Sequence, residues 1–328
     1  MKYVEFIGRK QIIINEEKLS QCEIGAEQIA GRTLYTMISA GTEINGEYLD
    51  VFDWGYPRKG GYTAVFLVER VGSGVQGFQE GDIAFTMGCH QSYQIAHYTD
   101  AVKVPQGVKT EHALFIRMAN VSMATLSKTR ITPGELVLVT GLGSVGLMAM
   151  LVYSNLGYKV IGVDPDQERR AIAAAAGFQA LYESVPLNDS RYNKKVGLAL
   201  ECSGNEAAAL DCCKIVRPHG EVSIVGVPWK RCSDIYSFDL LNAVFYNYVN
   251  LYSGWEFDLQ PHSSQFMYET FEKNFALSMD MIANGKVKIG DFYTIRPYTE
   301  VQSAFDDIYN KKEKKLSTIL SWDGAGEA

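Results

Sequence analysis

The sequence predicts an α/β fold in which a doubly wound parallel sheet is inserted into a β-rich partner made of two separate segments. Three observations carry this. Between residues 136 and 227, short β-branched runs alternate with helical stretches over brief connections, the pattern of a parallel sheet covered on both faces. The first hundred residues instead hold short strand-like runs punctuated by glycine turns, as in a mostly β region. From residue 257 helical spacing returns, and the chain closes on a strand-like run at 316–320. The expected boundaries are 1–117 with 257–328 for the outer unit and 118–256 for the inserted one. A length of 328 residues accommodates both with ample core.

Taken in order, residues 64–71 read as a strand bounded by turns at Gly72-Ser73-Gly74 and Glu80-Gly81-Asp82. Residues 136–158 carry no charge and are long enough to cross a bilayer. Three glycines at 141, 143 and 146 argue against one continuous helix, since each costs about 1 kcal/mol relative to alanine. A buried strand, a tight turn and a buried helix explain the same residues. A second strand follows at 158–164, then a helix at 166–176 closed by Gly177. Strand 196–201, helix 205–216 and strand 221–227 continue the alternation. Residues 244–253 read as an aromatic-rich strand, and Phe271, Phe275, Leu277 and Met281 mark a later helix.

Composition excludes several classes. With 47% hydrophobic and 21% charged residues the chain is neither disordered nor fibrous. Its 31 basic and 38 acidic residues give a net charge of −7 without an offsetting basic cluster, so no nucleic-acid partner is expected. The basic run at 311–315 reads as a solvated helix end. Six cysteines are thinly spread with no C-x-x-C, and residues 1–10 resemble no signal peptide. A cytoplasmic protein with no membrane partner is the expectation.

The strongest motif is Gly141-Leu142-Gly143-Ser144-Val145-Gly146, a G-x-G-x-x-G that follows a strand and opens a helix. In that setting the first glycine makes the turn and the second admits a pyrophosphate. The third lets helix and strand close together, and the helix N-terminus presents N–H groups to the anion. Asp164 ends the next strand 18 positions after Gly146, where a carboxylate can accept from both ribose hydroxyls. It would repel a 2′-phosphate, so NAD is the expected cofactor. The plainer reading of Asp164 is a cap for the helix near Pro165.

Together these features resemble the medium-chain dehydrogenase/reductase superfamily along essentially the whole chain. Gly61-Tyr62-Thr63, Gly81-Asp82-Ile83-Ala84, the cofactor segment 135–146, Ala304-Phe305-Asp306 and Thr318-Ile319-Leu320 each match its motifs. The resemblance implies a Rossmann domain inserted into a GroES-like catalytic domain. It also implies cofactor-lining turns at Ser203-Gly204 and Gly226-Val227, and contacts near the nicotinamide from Asn120 and Thr125. The departures concern metal. Zinc alcohol dehydrogenases carry Cys-Gly-Ser/Thr-Asp where this chain has Ala40-Gly41-Thr42-Glu43, and Gly-His-Glu where it has Gly61-Tyr62-Thr63. Zinc needs three protein ligands, and the four-cysteine structural lobe is absent as well, so no metal is expected. The chain is similar to a zinc-independent branch sharing Ser39-Ala40-Gly41-Thr42-Glu43 and His90.

His90, Glu43, Thr42 and Tyr62 are therefore the candidate catalytic groups, because hydride transfer leaves a proton to be managed. His90 reads equally as an ordinary loop histidine, and Glu43 as a buried partner for an arginine. The other four histidines read as surface or packing groups, and Trp255-Glu256-Phe257-Asp258 as aromatic packing beside the cleft. Three functions follow. The first is NAD-dependent oxidation of a secondary alcohol of polyol, sugar or cyclitol type, on a small-molecule substrate. The others are reduction of quinones or enones, and a non-catalytic NAD sensor. By analogy with relatives a homodimer is expected.

Overall fold

The protein is described here from a computed structural model covering residues 1–18 and 24–323. Helix α1 (Phe115–Met123) leads into a six-stranded parallel sheet. Its strands are β1 (Leu136–Thr140), β2 (Lys159–Val163), β3 (Leu181–Tyr182), β4 (Val196–Glu201), β5 (Val216–Ile224) and β6 (Asn250–Ser253). They lie side by side as β3-β2-β1-β4-β5-β6. The order reverses between β1 and β4, which opens a crevice at the carboxyl ends of those strands.

The helices between them are α2 (Ser144–Asn155), α3 (Gln167–Ala175), α4 (Glu206–Ile215) and α5 (Ser237–Tyr246). Helix α2 explains the charge-free run. Residues from Gly146 to Tyr153 are buried without interruption, so the helix is apolar on every side. It shares one core with α1 and with α6 (Phe271–Ala283), which supplies Phe275 and Met279. Among the described residues no helix is long and apolar enough to cross a membrane. Caps set the helix starts: Asp166 accepts from the N–H of Glu168, and Asn205 from those of Ala207 and Ala208.

The expected strand at 244–253 is corrected. Only Asn250–Ser253 is strand, and the aromatic run before it belongs to α5. Aromatic residues suit strands, but here Leu240, Ala243 and Val244 recur at helical spacing and pack on the core beside Leu210 and Cys213. Phe238, Leu241, Phe245 and Tyr246 are left on the outer face.

The second sheet is mostly antiparallel and centres on Gln28–Ile38. On one side follow Ala64–Leu67, Ile83–Thr86 and Ala101–Lys103. On the other, Ser317–Ser321 pairs antiparallel with it, and Tyr293–Pro297 pairs parallel with that strand. Residues 293–321 thus complete a sheet begun near the N-terminus. Helix α7 (Val301–Tyr309) covers a core holding Phe6, Tyr48 and Phe305. A larger core runs continuously from Met37, Val65 and Phe85 through α1 to Val139 and Leu147, joining the two sheets across the crevice.

Candidate active site at the crevice

At the crevice, the turn after β1 has the geometry a dinucleotide requires. Gly141 has φ +79°, and a Cβ there would lie 2.8 Å from Ser203. Over Gly143 the space is open. A Cβ on Gly146 would lie 1.9 Å from the Gly141 carbonyl oxygen, so helix and turn touch backbone to backbone. Gly143 caps α2 without a side-chain bond to the helix, leaving its first N–H groups for an anion. The Ser144 hydroxyl donates to the Leu316 carbonyl at 2.7 Å, and Val145 is half-buried beside it.

Asp164 is 2% exposed at the end of β2. Its Oδ2 accepts from the Leu142 N–H at 2.7 Å and its Oδ1 from the Asp166 N–H at 2.8 Å. It therefore pins the glycine turn to the adjacent strand, and Asp166, not Asp164, caps α3. A carboxylate has about four acceptor positions, so capacity remains on Oδ1 for a ribose hydroxyl. On the neighbouring strand end, Glu201 is buried. It accepts from the N–H groups of Ser203 and Gly204 and from the hydroxyls of Ser203 and Thr140. Gly226 packs onto this turn, where a Cβ would lie 2.4 Å from the Gly204 nitrogen, and Val227 is 41% exposed beyond it.

A polar cluster faces this cradle from the other sheet. His90 and Glu43 are fully buried, with Nε2 and Oε2 2.8 Å apart. A carboxylate only accepts, so Nε2 carries the proton. Glu43 Oε1 accepts from the Ser39 N–H at 2.8 Å, so its partner is an imidazole, not an arginine. The His90 ring packs beneath Gly61, where a Cβ would lie 2.7 Å from it at φ +89°. Directly after that turn stands Tyr62, partly exposed, whose hydroxyl donates to Ser39 Oγ at 2.5 Å and also bonds the Thr42 side chain.

The Arg117 guanidinium lies 4.7 Å from the centre of the Tyr62 ring. Arg117 is 2% exposed and makes a bidentate pair with Glu256 at 2.5 and 2.7 Å. Asn120 donates to the same carboxylate at 2.7 Å and accepts from Asn274. Both Asn120 and Thr125 are fully buried, and Thr125 bonds Ser223 Oγ at 2.8 Å.

The match to known proteins follows this architecture. Residues 144–265, from the start of α2 past β6, match the family model described as zinc-binding dehydrogenase. The whole chain overlays on galactitol-1-phosphate dehydrogenase of Escherichia coli with a TM-score of 0.81, covering 98% of this chain and 100% of that one at 16% identity. The chain shares the fold of that enzyme, and its residues 144–265 are similar to the zinc-binding dehydrogenase family. Among curated relatives, an uncharacterized zinc-type alcohol dehydrogenase-like protein, YphC, of E. coli K12 is 31% identical over 42% of either chain. L-threonine 3-dehydrogenase of Coxiella burnetii is 24% identical over 72% of this chain and 65% of its own length. The chain thus spans about two fifths of the first of these relatives and just under two thirds of the second.

No three His, Cys, Asp or Glu side chains among the described residues converge as a metal site. Ala40 and Tyr62 stand where zinc relatives were expected to carry ligands. Cys89 is half-buried and its thiol is pushed up by burial beside Glu47 and Glu43. Cys212 and Cys213 are buried in α4, whereas Cys22 lies outside the described residues.

Glu47, one helical turn beyond Glu43, adds a titrating group. Burial and the Glu43 carboxylate push its pKa to about 8, against the pull of Arg58, and its Oε2 is buried without a partner. The folded state therefore holds a proton that the unfolded chain releases near the ordinary value of 4.5. The folded state binds more protons between those values, so stability falls as pH rises through that window. Replacing Glu47 with Gln removes the ionisation. Its urea midpoint is expected to change less than the native midpoint between pH 5 and pH 8, and an equally steep decline in both proteins would contradict this assignment.

No sequence signal points to Arg117, whereas Glu201 lies in the expected cofactor-lining turn and Glu256 in the quartet expected beside the cleft. Within the quartet 255–258 the carboxylate of Glu256 reaches the cluster, while Trp255 and Phe257 are 65% and 57% exposed.

Proposed function

We propose that the protein is an NAD-dependent, zinc-independent oxidoreductase moving a hydride between nicotinamide and a secondary alcohol of polyol, sugar or cyclitol type. The observation that carries this is the Tyr62 side chain, partly exposed as a residue, with its hydroxyl held between Ser39 and Thr42 and its ring under the Arg117 guanidinium. Relatives named for galactitol 1-phosphate and L-threonine, both hydroxyl-bearing, support the alcohol class. The bound cofactor supplies the hydride acceptor or donor.

The chain's own residues handle the proton. Burial raises the Tyr62 phenol above its ordinary range, while Arg117 and the hydroxyls of Ser39 and Thr42 draw it back. In the direction of reduction the phenol turns its proton from Ser39 Oγ to the substrate carbonyl oxygen, and in the direction of oxidation the phenolate so formed takes the proton of the substrate hydroxyl. Arg117 then stabilises the charge left on Oη when that proton moves. His90 and Glu43, with no exposed surface, act by fixing the Gly61 turn and Ser39, and so position Tyr62 and Thr42. Alanine and a phenol where a zinc site needs ligands support a metal-free mechanism. Asp164 supports NAD, since its buried carboxylate would repel a 2′-phosphate, and Arg170 is committed to its carbonyl.

The test is a panel of polyols, cyclitols and simple secondary alcohols with NAD or NADP in the presence of a chelator. Turnover with NAD that survives chelation is expected, with Asp164→Ser shifting preference towards NADP. Stoichiometric zinc whose removal abolishes turnover would overturn the metal-free reading, and NADPH-dependent enone reduction without alcohol turnover would overturn the substrate class.

We also infer a homodimer. Among the described residues strand β6 pairs on one side only, and the adjoining α5 leaves Phe238, Leu241 and Phe245 between 67% and 74% exposed. An open strand edge beside an apolar face is self-complementary about a two-fold axis. A solution mass of one chain at micromolar concentration would sink this.

A further inference from the structure

Across the mouth of the crevice, three aromatic rings meet from opposite sides. Phe52 and Trp54 come from the loop at residues 49–56 and Trp229 from the loop after β5. Phe52 and Trp229 have ring centres 5.1 Å apart, and Trp54 lies 6.0 Å from Phe52 and 6.2 Å from Trp229. Phe52 and Trp54 nonetheless remain 51% and 55% exposed.

The loop is built to hold them there. Asp50 and Asp53 adopt φ +48° and +55°, and Gly55 +84°. The Asp50 carboxylate accepts from the N–H groups of Trp54 and Gly55 and from Arg58, which also donates to the Gly46 carbonyl. Gly46 is needed beneath the rings, because a Cβ there would lie 2.6 Å from the Trp54 ring and 3.5 Å from Trp229. Gly46 sits on the one-turn helix Glu43–Tyr48 that also presents Glu43, and Trp229 lies three residues beyond Gly226. The cluster is therefore continuous with both halves of the site. Large rings left half in water beside a binding crevice mark a ligand surface.

We propose that Phe52, Trp54 and Trp229 form a subsite that stacks a ring of the substrate, so that the alcohol is carried by a cyclic molecule and not by a short open chain. This rests on the dehydrogenase reading above and specifies its substrate. The shared chemistry is a flat face, either an aromatic π-system or the C–H face of a sugar or cyclitol, both of which stack on indole and phenyl rings.

The experiment compares kcat/KM for 1-phenylethanol, myo-inositol and 2-butanol with NAD in the native protein and in Phe52→Ala and Trp54→Ala. Tryptophan emission is titrated in parallel with acetophenone and with myo-inositol. At least one cyclic alcohol is expected to exceed 2-butanol tenfold or more, and each variant to cut that ratio about tenfold, in line with one or two lost ring contacts. The ring compound whose ratio falls identifies the face recognised. A saturable emission change, lost in the variants, is expected for the same compound. Turnover with no ring preference and no saturable titration would overturn the subsite and leave the dehydrogenase reading intact. Saturable ring binding without turnover of any alcohol would support the subsite and overturn that reading.

Discussion

Arg117→Met is expected to lower the free energy of unfolding by about 3–5 kcal/mol, the usual cost of removing one partner from a buried ion pair. The guanidinium is 2% exposed and its partner Glu256 is 6% exposed, joined by two bonds of 2.5 and 2.7 Å. With Arg117 gone, Asn120 is the donor left to the carboxylate among the described residues. The comparison that isolates the cause is Arg117→Met combined with Glu256→Met. Removing both charges leaves two apolar side chains of similar length, so most of the lost stability should return. Urea titration of the native protein and the three variants measures this. A double variant no more stable than Arg117→Met alone would show that shape, and not the stranded charge, is what Arg117 supplies.

Tyr62→Phe should reduce kcat by about 10²–10⁴, the range for loss of a positioned proton donor. The substitution keeps the ring under Arg117 and removes only the hydroxyl that bonds Ser39 and Thr42. Binding of NAD should be unchanged, because the glycine turn and Asp164 lie on the other side of the crevice. The residual activity should also lose whatever pH dependence the phenol imposes. If Tyr62→Phe turns over normally while His90→Gln does not, the proton travels through the buried imidazole instead, and the roles given to Tyr62 and His90 must be exchanged.

What the sequence disclosed followed the range of the interactions concerned. The glycine turn was legible because its parts are local. Three glycines in six residues and a carboxylate ending the next strand encode a turn whose backbone contacts, such as Gly146 on Gly141, need no distant partner. The polar cluster was legible only by position. Glu43, Tyr62 and His90 could be named, but not that Glu43 and His90 face each other with no exposed surface. The Arg117–Glu256 pair was invisible, since its members lie 139 positions apart and a buried ion pair leaves no periodic trace. Phe245 and Tyr246 misled for a related reason, because aromatic content suggested a strand while the inward spacing of Leu240, Ala243 and Val244 selected a helix.

The return of residues 317–321 to the sheet of residues 28–38 also sets a timetable for synthesis. Ile38 pairs with Thr318, 280 positions later, an interval of roughly 15–60 s at ordinary elongation rates. All six parallel strands emerge within that interval, between residues 136 and 253, and can pair without the last strand. The parallel strands can therefore pair on the ribosome while the other sheet still has an open edge, and the Ser144 bond to the Leu316 carbonyl closes only once the chain end has emerged.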